Sequence, residues 1–212
     1  LLISTALAAE LDSSTTEHIH AATVRIDASG ARTEASFSGV VVDASGLVLT
    51  SAHALGCVDE VVVTTATDHA LDARVILLDD EADLAVLAVR PKRAAKLRAL
   101  EPGIPPGPGA TVHAWGQASS LRSGQVRRVE GGTLQVQMPT LSTDIGGPVV
   151  DGQGHLVGLI TGWQPGRAAD DPLSLAVGAR KIGTIIEDTN PDGRVSKKTL
   201  CAGARKVWEE LR

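Results

Sequence analysis

Between Thr23 and Arg90, short apolar and β-branched runs alternate with turns rich in Gly, Asp and Ser. The spacing predicts strands at Thr23–Asp27, Glu34–Asp43, Leu47–Ser51, Glu60–Ala66, Leu71–Asp79 and Leu84–Arg90, with Asp43-Ala44-Ser45-Gly46 as a hairpin turn. Six such strands suit one small closed barrel. The stretch from Pro91 to Gly109 carries Pro102, Pro105, Pro106 and Pro108, which cannot join a central ladder, so it reads as a connection. A second set of six follows: Ala110–Trp115, Gly124–Glu130, Thr133–Met138, Gly147–Val150, Leu156–Gly162 and Leu173–Val177. Gly131-Gly132 and Asp151-Gly152-Gln153-Gly154 mark reversals, since glycine supplies the positive φ that tight turns demand. From Ser196 the period changes, with Leu200, Ala204, Val207, Trp208 and Leu211 at helical spacing.

The fold class expected from this pattern is all-β: two six-stranded antiparallel β-barrels with a C-terminal helix, a sandwich being the alternative that pattern alone leaves open. The units expected are a leading segment 1–17, a first barrel 18–90, the connection 91–109, a second barrel 110–178 and a helical segment 179–212. With no Tyr and a single Phe37, the core must be aliphatic. A net charge of -5 leaves no basic face to neutralise phosphates, which excludes nucleic acid as a partner. The basic stretch Arg90–Arg98 reads as a solvated connection.

Leu1–Ala9 reads LLISTALAA, an apolar run too short to span a bilayer and ending like a secretory signal. An extracytoplasmic location, periplasmic or secreted, is therefore expected, with membrane association only through a segment preceding this sequence. Cys57 and Cys201 could form one disulfide in an oxidising compartment.

Three stretches carry candidate chemistry. In the first, Ser38 to Leu55, an apolar strand, a Gly hairpin and a second apolar strand lead into Thr50-Ser51-Ala52-His53. A histidine directly after a strand sits at a barrel rim, where it can serve as a general base. In the second, Asp79-Asp80-Glu81-Ala82-Asp83-Leu84-Ala85-Val86-Leu87, Asp83 opens a strand. The third runs Thr140-Leu141-Ser142-Thr143-Asp144-Ile145-Gly146-Gly147-Pro148-Val149-Val150, then Gly154-His155-Leu156-Val157-Gly158-Leu159-Ile160-Thr161-Gly162.

In that order the stretches resemble the trypsin-like serine proteases, closest to the HtrA type: T-x-x-H, then D-L-A-V-L, then G-[DN]-S-G-G-P-[LV]-V. The resemblance covers about Ser36 to Val177. It implies that His53 is the base and that Asp83 orients it and stabilises the imidazolium. It places the oxyanion-hole donors at Thr143 and Asp144, and substrate-cleft positions at Thr140, Ile160, Thr161 and Gly162. Position 145 is that of the serine nucleophile, and Ile145 has no group that can attack a carbonyl. Thr143 stands where the family has a glycine whose backbone conformation often disfavours a β-branched residue. Ser142 is expected to project elsewhere, and Phe37, at another family glycine, touches strand packing only.

The reading that follows is a catalytically inactive pseudoprotease that binds a peptide or unfolded protein segment in the former substrate cleft. An active HtrA-like endopeptidase is the alternative, and a repurposed metal-binding scaffold a further one. No cofactor is expected, and no metal. Among His18, His20, His69, His113 and His155, only His18-Ile19-His20 has a ligand-like spacing.

Overall fold

The computed structural model describes residues 11–30, 33–90, 96–117, 120–164, 172–189 and 193–194. The first six strands are β1 (Thr23–Gly30), β2 (Thr33–Asp43), β3 (Leu47–Thr50), β4 (Glu60–Thr64), β5 (Ala70–Asp79) and β6 (Leu84–Val89). They close into an antiparallel barrel in the order β1-β2-β3-β6-β5-β4. The next six are β7 (Thr111–Trp115), β8 (Leu121–Glu130), β9 (Thr133–Gln137), β10 (Pro148–Val150), β11 (Leu156–Gln164) and β12 (Leu173–Gly178). These close as β10-β11-β12-β9-β8-β7. Each strand overlaps one expected from the sequence.

Several strands are apolar on both faces because both faces are buried. In β6, Ala85, Leu87 and Val89 fill the first barrel, while Leu84 and Val86 point into the seam between barrels. The same division separates Val41 from Val40 and Val48 from Leu49. In β11, Val157 and Ile160 fill the second barrel, and Leu156 and Leu159 face the seam. The seam is thus a hydrophobic core of its own, and it fixes one barrel against the other.

Two helices complete that seam. Helix α1, Ser13–Ala22, was not expected: its first turn falls in the leading segment 1–17. Asp12 caps it, accepting from Thr15 N at 2.9 Å, Ser14 Oγ at 2.6 Å and Thr15 Oγ1 at 2.7 Å. The Ser14 hydroxyl, followed by the two Thr15 donors, holds the Asp12 carboxyl well below the usual carboxylate range. Ile19 and Ala22 are buried in the seam. Between the short α2 (Ala52–Leu55) and the end of the described chain lies α3, Ala179–Glu187, which adds Ile182 and Ile185. The helix expected from Ser196 lies outside the described residues, as does Cys201.

The connection is stitched to both barrels rather than free. Leu100 N donates to Val41 O at 3.0 Å, Leu156 N to Glu101 O at 2.8 Å, and Gly103 N to Leu156 O at 2.8 Å. Of its basic stretch, Lys96 and Arg98 are exposed, and residues 91–95 lie outside the described part. No helix among the described residues is long and apolar enough to cross a membrane.

Candidate active site

Strand β3 pairs with β6 through Thr50 and Ala85, so the end of one and the start of the other meet at a single rim. His53 follows β3 in α2; Asp83 precedes β6 in a turn that Asp79 braces by accepting from Ala82 N at 2.9 Å. Asp83 has φ 52°, a left-handed conformation that Asp tolerates better than most residues. It turns the carboxylate back onto the histidine. His53 Nδ1 lies 2.8 Å from Asp83 Oδ2, and His53 N donates to Asp83 Oδ1 at 2.9 Å. With the Nδ1 proton directed at the carboxylate, Nε2 is left as the basic nitrogen.

Ser51 was not anticipated as a member of this group. Its Oγ lies 2.9 and 3.0 Å from the two carboxylate oxygens of Asp83 and 2.7 Å from His53 Nδ1. Ser51 is fully buried, whereas the His53 and Asp83 side chains are 27% and 26% exposed. Its hydroxyl therefore braces the pair from within. Its place two residues before His53 is a signal that strand alternation alone does not reveal.

The third stretch forms a compact turn. Ser142–Asp144 is a single 3-10 turn, in which Asp144 N donates to Leu141 O at 3.0 Å and Ile145 N to Ser142 O at 3.4 Å. Gly146 N donates to Ile160 O at 2.7 Å, and Ile160 N returns to Gly147 O at 2.9 Å, tying the turn to β11. Ser38 ties it to the first barrel: Ser38 N donates to Ile145 O at 2.9 Å and Ser38 Oγ to Thr143 O at 2.7 Å. Thr50 Oγ1 in turn donates to Ser38 O at 2.8 Å. A continuous chain of bonds thus leads from the residue-145 turn through Ser38 to Thr50, next to the Ser51–His53–Asp83 group.

Gly146 is required at this junction. At φ 82°, a Cβ there would lie 2.1 Å from Ser38 O and 2.3 Å from Thr50 Oγ1. Gly146→Ala is expected to destabilise the protein by about 3 kcal/mol or more, combining left-handed strain with overpacking. Urea unfolding at unchanged m-value measures it.

Two expectations need correction. Thr143 is not strained: the only non-glycine residues at positive φ among those described are Asp68 and Asp83, and Thr143 sits in the 3-10 turn. The Ile145 N–H is itself bonded within that turn, to Ser142 O. Ile160, expected to line the cleft, is fully buried in the second barrel and serves the turn through its backbone. Thr161 and Gly162 are partly exposed beside a register shift in β11. Thr140 Oγ1 bonds to Ser174 Oγ, and buried Ser174 donates on to Met138 O at 2.6 Å. Leu141 and Trp163 stand 51% and 53% exposed on the two segments that flank the turn.

Asp144 is fully buried, accepts from Leu141 N at 2.7 Å and forms an ion pair with Arg122 of β8, whose side chain is 16% exposed. Nothing in the local sequence marks Arg122 as its partner, because β8 and the turn meet only in the closed barrel. The pair is one of proximity rather than of bidentate geometry: Arg122 Nε and Asp144 Oδ1 have no hydrogen-bond partner. Gly116 leaves room for that oxygen, since a Cβ at residue 116 would lie 2.0 Å from Asp144 Oδ1.

The remaining histidines go to separate partners. His18 Nε2 lies 3.1 Å from Ala99 O, His20 stacks on Trp115 with centroids 5.1 Å apart, and His155 pairs with Asp151 at 3.2 Å. His113 is buried, which pushes its imidazole below the ordinary value despite the opposing field of Asp151.

A family model for the trypsin-like peptidase domain matches residues 37–159. The chain belongs to that family. The trypsin-like frame accounts for both barrels and for the rim on which the His53–Asp83 pair stands. Among curated relatives, the chain is 29% identical over 192 residues to the serine protease HTRA1 of Xenopus laevis, covering 82% of this chain and 41% of that protein. It is 27% identical over 186 residues to the chloroplastic Protease Do-like 1 of Arabidopsis thaliana, covering 79% and 42%. The chain thus spans about two fifths of the length of these HtrA-type relatives. Among solved structures, the serine endoprotease of Yersinia pestis superposes with a TM-score of 0.74 at 22% identity, over 88% of this chain and 70% of that one. The active form of the Rv3671c protease of M. tuberculosis gives 0.73 at 18% identity, over 89% and 92%. Both likenesses concern the trypsin-like fold.

Proposed function

We propose that this trypsin-like domain is a pseudoprotease, binding an extended peptide or unfolded segment in the former substrate cleft without cleaving it. The observation that carries the reading is Ile145. It stands in the Asp144-Ile145-Gly146-Gly147-Pro148 turn where the family places its serine, and its own N–H is engaged with Ser142 O at 3.4 Å. No attacking group stands at residue 145, and the peptide N–H there is turned to its own 3-10 turn rather than to a substrate oxygen. Ser51 is no substitute: it is fully buried and lies on the Nδ1 side of the ring. Exposed Leu141 and Trp163 supply the apolar surface against which a bound segment packs.

Unfolded casein is expected to stay intact over hours with the purified domain, and a fluorophosphonate is expected to leave the cleft serines unlabelled. Peptides selected by pulldown should lose at least about tenfold in affinity for Trp163→Ser, matching the ~1.5 kcal/mol or more of a lost aromatic contact. Labelling of a serine in the cleft would establish the active endopeptidase instead, and binding indifferent to Trp163→Ser would remove the cleft from the reading.

The proposed location is extracytoplasmic. Cys57 is engaged in a disulfide, a bond that persists in oxidising compartments. One similar protein, from Ectopseudomonas mendocina, is named a probable periplasmic serine endoprotease, at 24% identity over 82% of this chain.

A further inference from the structure

A cavity of about 650 Å3 opens where three elements meet: the turn between β5 and β6, the glycine turn between β8 and β9, and helix α3. Neither the Ser51–His53–Asp83 group nor Leu141, Ile145 or Trp163 lines it, so it is separate from the cleft. Its floor is apolar. Leu134 and Ile185 are buried there, and Val129, the ladder partner of Leu134, is 39% exposed beside the β8–β9 turn. The walls carry opposite charges. On the α3 side stand Arg180 and Lys181. The Lys181 stem lies across Gly132, with Cγ and Cδ 3.5 Å from where a Cβ of that residue would be. On the β5–β6 side stand Glu81 and Asp79, and Asp79 already accepts from Ala82 N at 2.9 Å. Among the described residues, Arg180, Lys181 and Glu81 have no ion-pair partner. Cations and carboxylate therefore face one cavity without neutralising each other.

We propose that this cavity binds short apolar peptides whose two termini are free. The α-carboxylate goes to Arg180 and Lys181, the α-amine to Glu81, and the side chains to Leu134, Ile185 and Val129. A volume of this size suits a small organic ligand, and opposite charges held apart over an apolar floor select one that is charged at both ends and apolar between them. A fatty acid would bring its carboxylate to the cations but nothing to Glu81, and an apolar amine would meet Glu81 but leave Arg180 and Lys181 desolvated and unpaired. A single amino acid is too short, because both of its charges sit about one carbon, whereas an extended dipeptide separates them by about 7 Å. Peptide-bond hydrolysis is the reaction that generates such a ligand, so the cavity takes a product of proteolysis. The proposal does not depend on what stands at residue 145.

The test is calorimetric titration of the intact chain with leucyl-leucine, its N-acetyl form and its C-terminal amide. Leucyl-leucine should bind with a dissociation constant on the order of 0.1–1 mM, the scale for a ligand of its size. Removing either terminal charge should weaken binding about tenfold, as the loss of a charge-assisted hydrogen bond does. Glu81→Gln should cancel the penalty of acetylation and leave that of amidation, and Arg180→Gln with Lys181→Gln should do the reverse. A merely structural role for these side chains would not sort the ligands by terminus. Thr184→Trp, at an exposed position of α3 on the cavity wall, should abolish binding by filling the space, whereas Trp163→Ser should leave it unchanged. Thermal unfolding checks each variant, and if Thr184→Trp does not fold, the charge-matched variants decide. Binding lost in Trp163→Ser but kept in Thr184→Trp would assign the dipeptide to the cleft, overturning this site while leaving the pseudoprotease reading intact. No binding, or equal affinity for all three ligands, would overturn the site as well.

Discussion

Replacing Arg122 with Met is expected to lower stability by about 3–5 kcal/mol, the scale of stranding one partner of a buried ion pair. Asp144 is fully buried, and its second oxygen already lacks a partner, so a carboxylate left without Arg122 has only Leu141 N to offset its desolvation. The double variant Arg122→Met with Asp144→Asn should regain more than half of the loss, because the neutral amide no longer demands a cation. Denaturant unfolding of the two singles and the double forms the cycle that measures the coupling. If Arg122→Met is within 1 kcal/mol of the parent, the pair is not what holds the turn.

Ile145→Ser with Thr143→Gly is expected to create fluorophosphonate labelling at residue 145 where each single change creates little. The serine alone supplies an attacker while the residue-145 N–H stays engaged with Ser142 O, and the absence of one oxyanion donor is worth about a hundred- to a thousandfold in turnover. The glycine alone frees the 3-10 turn to release the residue-145 N–H but brings no attacker. Both act on one transition state, so the gain should exceed the sum of the two singles. Labelling rates across the three variants read it directly. A folded double variant with no label at residue 145 would show that Nε2 of His53 does not address that position.

Both barrels were legible in the sequence because each strand advertises itself within a few residues: β-branched runs, turns at Gly46 and Gly131-Gly132, and prolines confined to the connection. The His53 and Asp83 candidates were legible for the same reason, since each lies at the end of such a run. Helix α1 was not legible. Only Ile19 and Ala22 are buried, so its apolar stripe is too thin to announce a period, although Asp12 with Ser14 and Thr15 was a cap signal in plain view. Ser51 and Arg122 escaped because their partners, Asp83 and Asp144, lie 32 and 22 residues away in sequence and are met only on barrel closure. The conformation of Thr143 was misjudged because the backbone of a turn depends on the bonds its neighbours make, here those of Leu141 and Ser142.

The frame around residue 145 is built from its peptide group alone: the carbonyl accepts from Ser38 and the N–H donates to Ser142. The side chain carries none of the bonds that join the barrels. Any side chain of moderate size at residue 145 therefore leaves Ser38, Gly146 and Thr50 holding the rim in shape. Folding and reactivity are in this way separable at this one position.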